Sequence, residues 1–158
     1  MKKILYFHAL NKKLMAVITR RKPKQIIGKR ETVDFPELHI EGITAKIDTG
    51  AYTSTLHCYD IFVEEVNGNR VLCFRVLDPS HTVFSDTEHC FPEFTQKKIK
   101  NSFGEVEKRY LIKTKIRIAG RVIKSIISLT DRGNMKYPVL IGRRLLKNKF
   151  IVDVSLKN

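Results

Sequence analysis

Within Tyr110–Ile118 the chain alternates: Ile112, Thr114, Ile116 and Ile118 fall on one side, Lys113, Lys115 and Arg117 on the other. A period of two marks a strand with one buried and one wet face. Gly120 turns the chain into a second strand over Val122–Leu129. Upstream, Ile61–Val63 and Val71–Leu77 flank Asn67-Gly68, the strongest two-residue hairpin signal in the sequence. Gln25–Ile27 and Leu38–Ile40 are short apolar stretches bounded by Gly28, Pro36 and Gly42, and Val139–Ile141 is wholly apolar, as a buried strand is. Phe150–Val154 is expected to close the sheet at a dimer seam. Helical periodicity is nearly absent; only Arg143–Asn148 suits a short helix. Residues 78–107 are polar, with Pro79, Pro92 and Gly104, and predict a long functional loop. No internal repeat is present. Many short strands with turns between them imply an all-β fold, closed or sandwiched.

A chain of 158 residues is one domain by size and can carry a real core. No apolar run approaches the ~20 residues of a membrane span, and Met1–Leu10 lacks the small-residue cleavage site of a signal peptide. Cys58, Cys73 and Cys90 form neither an even disulfide set nor a Cys-x-x-Cys. Reduced thiols in a cytoplasm are therefore expected. The net charge of +14 is concentrated at the front, where residues 1–30 hold ten Lys or Arg and no Asp or Glu. Residues 1–25 read as a basic arm carrying the apolar Leu14–Ile18 and broken at Pro23; residues 26–158 read as the folded domain. Such a field attracts polyanions, whether nucleic acid, a membrane surface or an acidic peptide. A solubilising arm without a dedicated partner would look the same.

The chemistry concentrates at Ala45–His57. Here Asp48-Thr49-Gly50 follows an apolar strand end. A carboxylate in that position is costly to bury and suits a site where it must be held rigidly, although Asp, Thr and Gly are also ordinary turn residues. About 90 residues downstream, Tyr137-Pro-Val-Leu-Ile-Gly-Arg-Arg-Leu-Leu146 runs an apolar strand into Gly142.

Together the two elements resemble the retropepsins, aspartic peptidases of the retroviral type. Ile27-Gly28-Lys29-Arg30-Glu31, Lys46 to His57 and Leu129 to Arg144 further resemble one bacterial retropepsin-like family. That family is often labelled ATP-dependent zinc protease and is associated with a ligase that adds glutamates to a small-subunit ribosomal protein. The resemblance covers about residues 26–154. It implies a single-lobed acid-protease fold, a retropepsin-like closed β-barrel with one short C-terminal helix, and activity as a homodimer. In it, Asp48 of each subunit meets its copy on the two-fold axis, because two carboxyls ~3 Å apart share one proton and activate a water between them. Thr49 would hydrogen-bond across the dyad and Gly50 would donate its N–H to the carboxylate. Ala51 and Tyr52 would lie against substrate, while Ile141, Gly142 and Arg143 would support the loop from behind.

Two features depart from the retroviral pattern. Tyr52 stands where those enzymes place an acid to pair with the residue matching Arg143. The candidate flap within 78–107 holds one glycine and several charges. The zinc label directs attention to His57, Cys58, Cys73, His81, His89 and Cys90, but their spacings match no common zinc module and no His-Glu-x-x-His is present. Nor is there a phosphate-cradling Gly-x-x-x-x-Gly-Lys. No metal and no cofactor are expected. Asp131 and Asp153 read as surface or ion-pair carboxylates rather than second catalytic acids. The expected function is a cytoplasmic aspartic endopeptidase acting on acidic, glutamate-rich peptides, with a ribosomal protein or the glutamate ligase as associated partner. The alternative is a non-catalytic module of the same shape that binds acidic tails or ribosomal RNA, with nucleic acid reached through the basic arm.

Overall fold

The computed structural model describes residues 22–100, 104–133 and 135–156. The apolar Leu14–Ile18 and most of the basic arm lie outside them. Eleven strands run in chain order: β1 (Gln25–Ile27), β2 (Arg30–Phe35), β3 (Ile40–Asp48), β4 (Ser54–Val66), β5 (Asn69–Val76), β6 (Glu88–Phe91), β7 (Phe94–Lys100), β8 (Val106–Ile118), β9 (Arg121–Thr130), β10 (Val139–Gly142) and β11 (Phe150–Val152). One α-helical turn, α1 (Arg143–Leu146), follows β10 directly. The protein is mostly β, with a single short α-helix among the described residues.

Nine strands share one sheet in the order β10-β3-β2-β8-β9-β4-β5-β6, with β7 on β8 and a further pairing of β10 with β4. The strict alternation of β8 is realised as drawn: Ile112, Ile116 and Ile118 are buried, and Ile112, Ile116 and Ile118 meet Ile127, Ile123 and Arg121 across the antiparallel β8–β9 ladder. Asn67 and Gly68 both take positive φ, 52° and 77°, the backbone that a two-residue hairpin needs to follow the strand twist. The core gathers Phe35, Leu56, Phe74, Ile116, Ile127 and Ile141, all at 1% exposure or less. Each such side chain contributes about 1.5–3 kcal/mol of transfer free energy.

Four expectations need correction. Residues 78–107 are not one long loop, because β6 pairs with β5 and β7 pairs with β8 along seven positions. The pattern concealed β7 because four consecutive residues, Thr95–Lys98, are exposed; the strand is held by its ladder rather than by burial. Leu38–Ile40 is not a strand: Pro36–Leu38 forms a 3-10 turn and His39 adopts a left-handed backbone before β3 begins. Phe150–Val154 does not extend the main sheet, since β11 ends at Val152 and pairs in parallel with β1 in a separate two-stranded unit. Finally, the three cysteines are not all reduced. The β5–β6 register sets Cys73 opposite Cys90, with Cα atoms 4.2 Å apart, and the two are joined. Cys58 alone is free, and burial pushes its thiol well above the ordinary value.

Candidate active site

Asp48 is the last residue of β3, and the parallel β10 strand sets Gly142 beside it in register, with Ile141 against Ile47. The carboxylate is fixed by its own loop: the backbone N–H groups of Gly50 and Ala51 each donate to Asp48 Oδ1 at 3.0 Å. Two N–H donors on one oxygen hold the ionised side chain in a single orientation. The Thr49 side chain is exposed and its hydroxyl finds no partner among the described residues.

The loop is buttressed from behind by the β10–α1 junction. Arg143 N–H donates to Ala51 O at 2.9 Å and Arg144 N–H to Tyr52 O at 3.0 Å, so the start of α1 is welded to the Asp48 loop. Arg143 does this with its backbone; its exposed side chain makes no ion pair among the described residues. Tyr52 likewise contributes its carbonyl while its ring stays 62% exposed. Gly142 has no room for a side chain: a Cβ there would lie 2.8 Å from Thr53 C and 2.9 Å from Tyr52 O. Its N–H donates to the buried Ser54 Oγ at 3.1 Å. Behind that, Thr55 Oγ1 and Ser128 Oγ lie 2.9 Å apart and Ser128 Oγ donates to Ser54 O. No motif in the chain points to this buried run of hydroxyls.

Beside the loop stands a second constellation. His57, 1% exposed, lies on β4. Its Nδ1 accepts the backbone N–H of Arg132 at 2.8 Å, and its Nε2 is 2.8 Å from Asp78 Oδ2. An amide N–H only donates, so the neutral ring must carry its proton on Nε2 and give it to Asp78. Asp78 also accepts from the Ser80 hydroxyl and N–H; these bonds and His57 hold its carboxyl well below the usual range. The Arg132 guanidinium is half-buried. Burial pulls it below its ordinary value and the Asp48 charge opposes that pull. Arg109, on β8, is lowered by burial and by the nearby Arg132 charge. Arg132 is thus the half-buried cation that feels the acid, while Arg109 lies next to Arg132 and pairs with Glu107. Asp131 sits 3.7 Å from His57 Nδ1, and Asp153 accepts from Ser155.

Two clusters are compact enough to hold an ion, His57–Asp78–His81 and Glu64–Cys73–Cys90. Neither fits one. A metal-bound histidine donates its remaining ring N–H outward, whereas the outer nitrogen of His57 is an acceptor and its Nε2 carries the proton. In the other cluster both thiols are consumed by the disulfide, leaving one carboxylate.

A β-rich chain that ends a strand in Asp-Thr-Gly and backs it with an apolar-Gly strand and a short helix has the makings of a retropepsin-like aspartic peptidase domain. Residues 26–158 match the model of the RimB-like family, described as retropepsin-like aspartic endopeptidase RimB, and the chain belongs to that family. It is 35% identical over 133 residues to a probable alpha-L-glutamate ligase of Shewanella halifaxensis, covering 84% of this chain and 29% of that protein. A protein with the same description from Desulfotalea psychrophila is 33% identical over 135 residues, again across 29% of its length. The chain therefore spans less than a third of these relatives. The fold is similar to the crystal structure of a Legionella pneumophila protein of unknown function, with TM-score 0.62 and 25% identity over 85% of this chain and 96% of that one.

Proposed function

We propose that the chain is an aspartic endopeptidase that works as a homodimer, with Asp48 of each copy supplying one carboxyl of the dyad. The observation that carries this reading is the clamp on Asp48: a strand-end carboxylate gripped by two N–H groups, with Gly142 packed alongside. One carboxylate cannot both take a proton from water and give one to the scissile carbonyl in the same step. Two that share a proton can. The unpartnered Thr49 hydroxyl supports a bond to the second copy. So do Ile26 and Ile151, cross-strand neighbours on β1 and β11 that are 62% and 52% exposed, an apolar edge suited to a subunit seam. The return pairing of β10 onto β4 supports reading the main sheet as a closed barrel.

Arg132, whose charge interacts with that of Asp48, together with the +14 charge, supports acidic peptides as substrates. The names of the curated relatives make a glutamate-extended protein the natural candidate. Replacing Asp48 by Asn keeps the side chain's shape and removes the acid. Cleavage of an oligo-glutamate-tailed peptide should fall at least about a thousandfold, roughly 4 kcal/mol in barrier, with the melting temperature unchanged. Undiminished cleavage by that variant would end the proposal.

A second reading, a non-catalytic module that binds acidic tails, is favoured by the relatives' greater length and ligase description. It predicts a monomer whose oligo-glutamate binding collapses with salt and survives Asp48→Asn unchanged.

A further inference from the structure

The His57 constellation is too completely bonded to be filler, and its wiring is directional. His57 ties the 131–138 loop at both ends: its ring accepts Arg132 N–H at 2.8 Å, and its own backbone N–H donates to Pro138 O at 2.8 Å. That loop connects β9 to β10, so it carries Arg132 on one side and delivers Gly142 to Asp48 on the other. Titratable or charged groups face the ring from each element around it. Asp78 and His81 follow β5, with the His81 ring centroid 5.5 Å away; Asp131 and Arg132 follow β9. Gly133 packs close over them, its N–H donating to Asp131 Oδ1 at 2.9 Å. A cleft of about 240 Å³, bordered by His81, Thr82 and Lys136, leaves the loop space to shift.

We infer that His57 is a positioning residue for Arg132: the neutral ring latches the 131–138 loop beside Asp48, and protonation at Nδ1 opens the latch. The proton balance is simple. One proton from solvent fills the Nδ1 lone pair, and the Arg132 N–H···Nδ1 bond breaks because two donors now face each other. The exposed Asp131 carboxylate, already 3.7 Å from Nδ1, moves in to accept the new Nδ1–H, while Nε2–H stays on Asp78. The result is a loop whose grip on Arg132 weakens as the solution is acidified. Only the consequence for cleavage rests on the peptidase reading; the latch itself does not.

The test is ring and amide nuclear magnetic resonance on the ¹⁵N-labelled full chain. At mildly alkaline pH the His57 ring should show the Nε2–H tautomer. On acidification the Arg132 amide should shift together with the ring, and its hydrogen exchange should quicken at least tenfold. Asp131→Asn, a change at an exposed side chain, removes the carboxylate that receives Nδ1–H, so the loop should then open only in more acidic solution. A purely structural histidine would leave that transition in place. An Nδ1–H tautomer, an Arg132 amide indifferent to ring protonation, or an unmoved transition in Asp131→Asn would each overturn the inference. So would stoichiometric zinc binding at the His57 ring at neutral pH.

Discussion

The Asp48 loop and the His57 cluster lie side by side and are held by opposite means. Asp48 is secured by donors two and three residues away, in a loop that is half open to solvent. His57 is buried and secured by partners 21 and 75 residues away in sequence. The first arrangement fixes a carboxylate cheaply while keeping it accessible. The second joins three distant segments and cannot be altered without exposing or orphaning buried polar groups. The comparison teaches that an accessible carboxylate can be fixed by local clamping, whereas the frame that presents it needs long-range ties.

If that division is right, changes in the two regions should separate activity from stability. Asp48→Asn should remove the proposed cleavage and leave the fold. His57→Ala should do the reverse at first order, leaving Arg132 N–H and Asp78 without a buried partner and opening a cavity. The expected loss is about 2–4 kcal/mol, or a fall of roughly 5–15 °C in the melting temperature of a chain this size. An unchanged melting curve would break the comparison. Gly142→Ala sharpens it at the junction of the two regions, because the added methyl meets Thr53 and Tyr52 backbone. Thermal unfolding should show a loss of about 1–3 kcal/mol, accompanied by reduced cleavage since the same contact supports the Asp48 loop.

The smallest effect is electrostatic. Asp78 is held below its ordinary value in the folded chain, so the stability it contributes is complete above the unfolded value of about 4. It is lost as the pH falls towards the folded one. Wild type should therefore lose stability more steeply than Asp78→Asn below about pH 4, as read from denaturant midpoints across pH. Parallel curves would remove Asp78 from the account.

The same division explains what was legible in the chain. Asp48, Gly50 and Gly142 could be found because their partners are near in sequence or carried by a second recognisable block, and β8 and the Asn67-Gly68 hairpin announce themselves through period and turn chemistry. β7 could not, because its exposed middle bears no apolar alternation. Cys73 and Cys90 looked like two of an odd three, since only the β5–β6 register makes them a pair. His57 drew notice solely as a conceivable zinc ligand. Its true partners reach it through two ladders that no local pattern encodes: the parallel β4–β9 pairing sets His57 opposite Thr130 and brings the Arg132 amide, and the antiparallel β4–β5 pairing sets Cys58 opposite Val76 and brings Asp78. Arg109 and Arg132 were invisible for the same reason: two arginines among thirty basic residues gain meaning only from sharing a half-buried corner.

The central claim is that Asp48 acts with its own copy. It is tested most directly by unfolding wild type and Asp48→Asn together in varied proportions, refolding the mixtures, and measuring peptide cleavage. Because a working dyad needs an acid from each subunit, activity should fall as the square of the wild-type fraction. Activity that falls in simple proportion to that fraction would mean that each chain works alone, and would contradict the account.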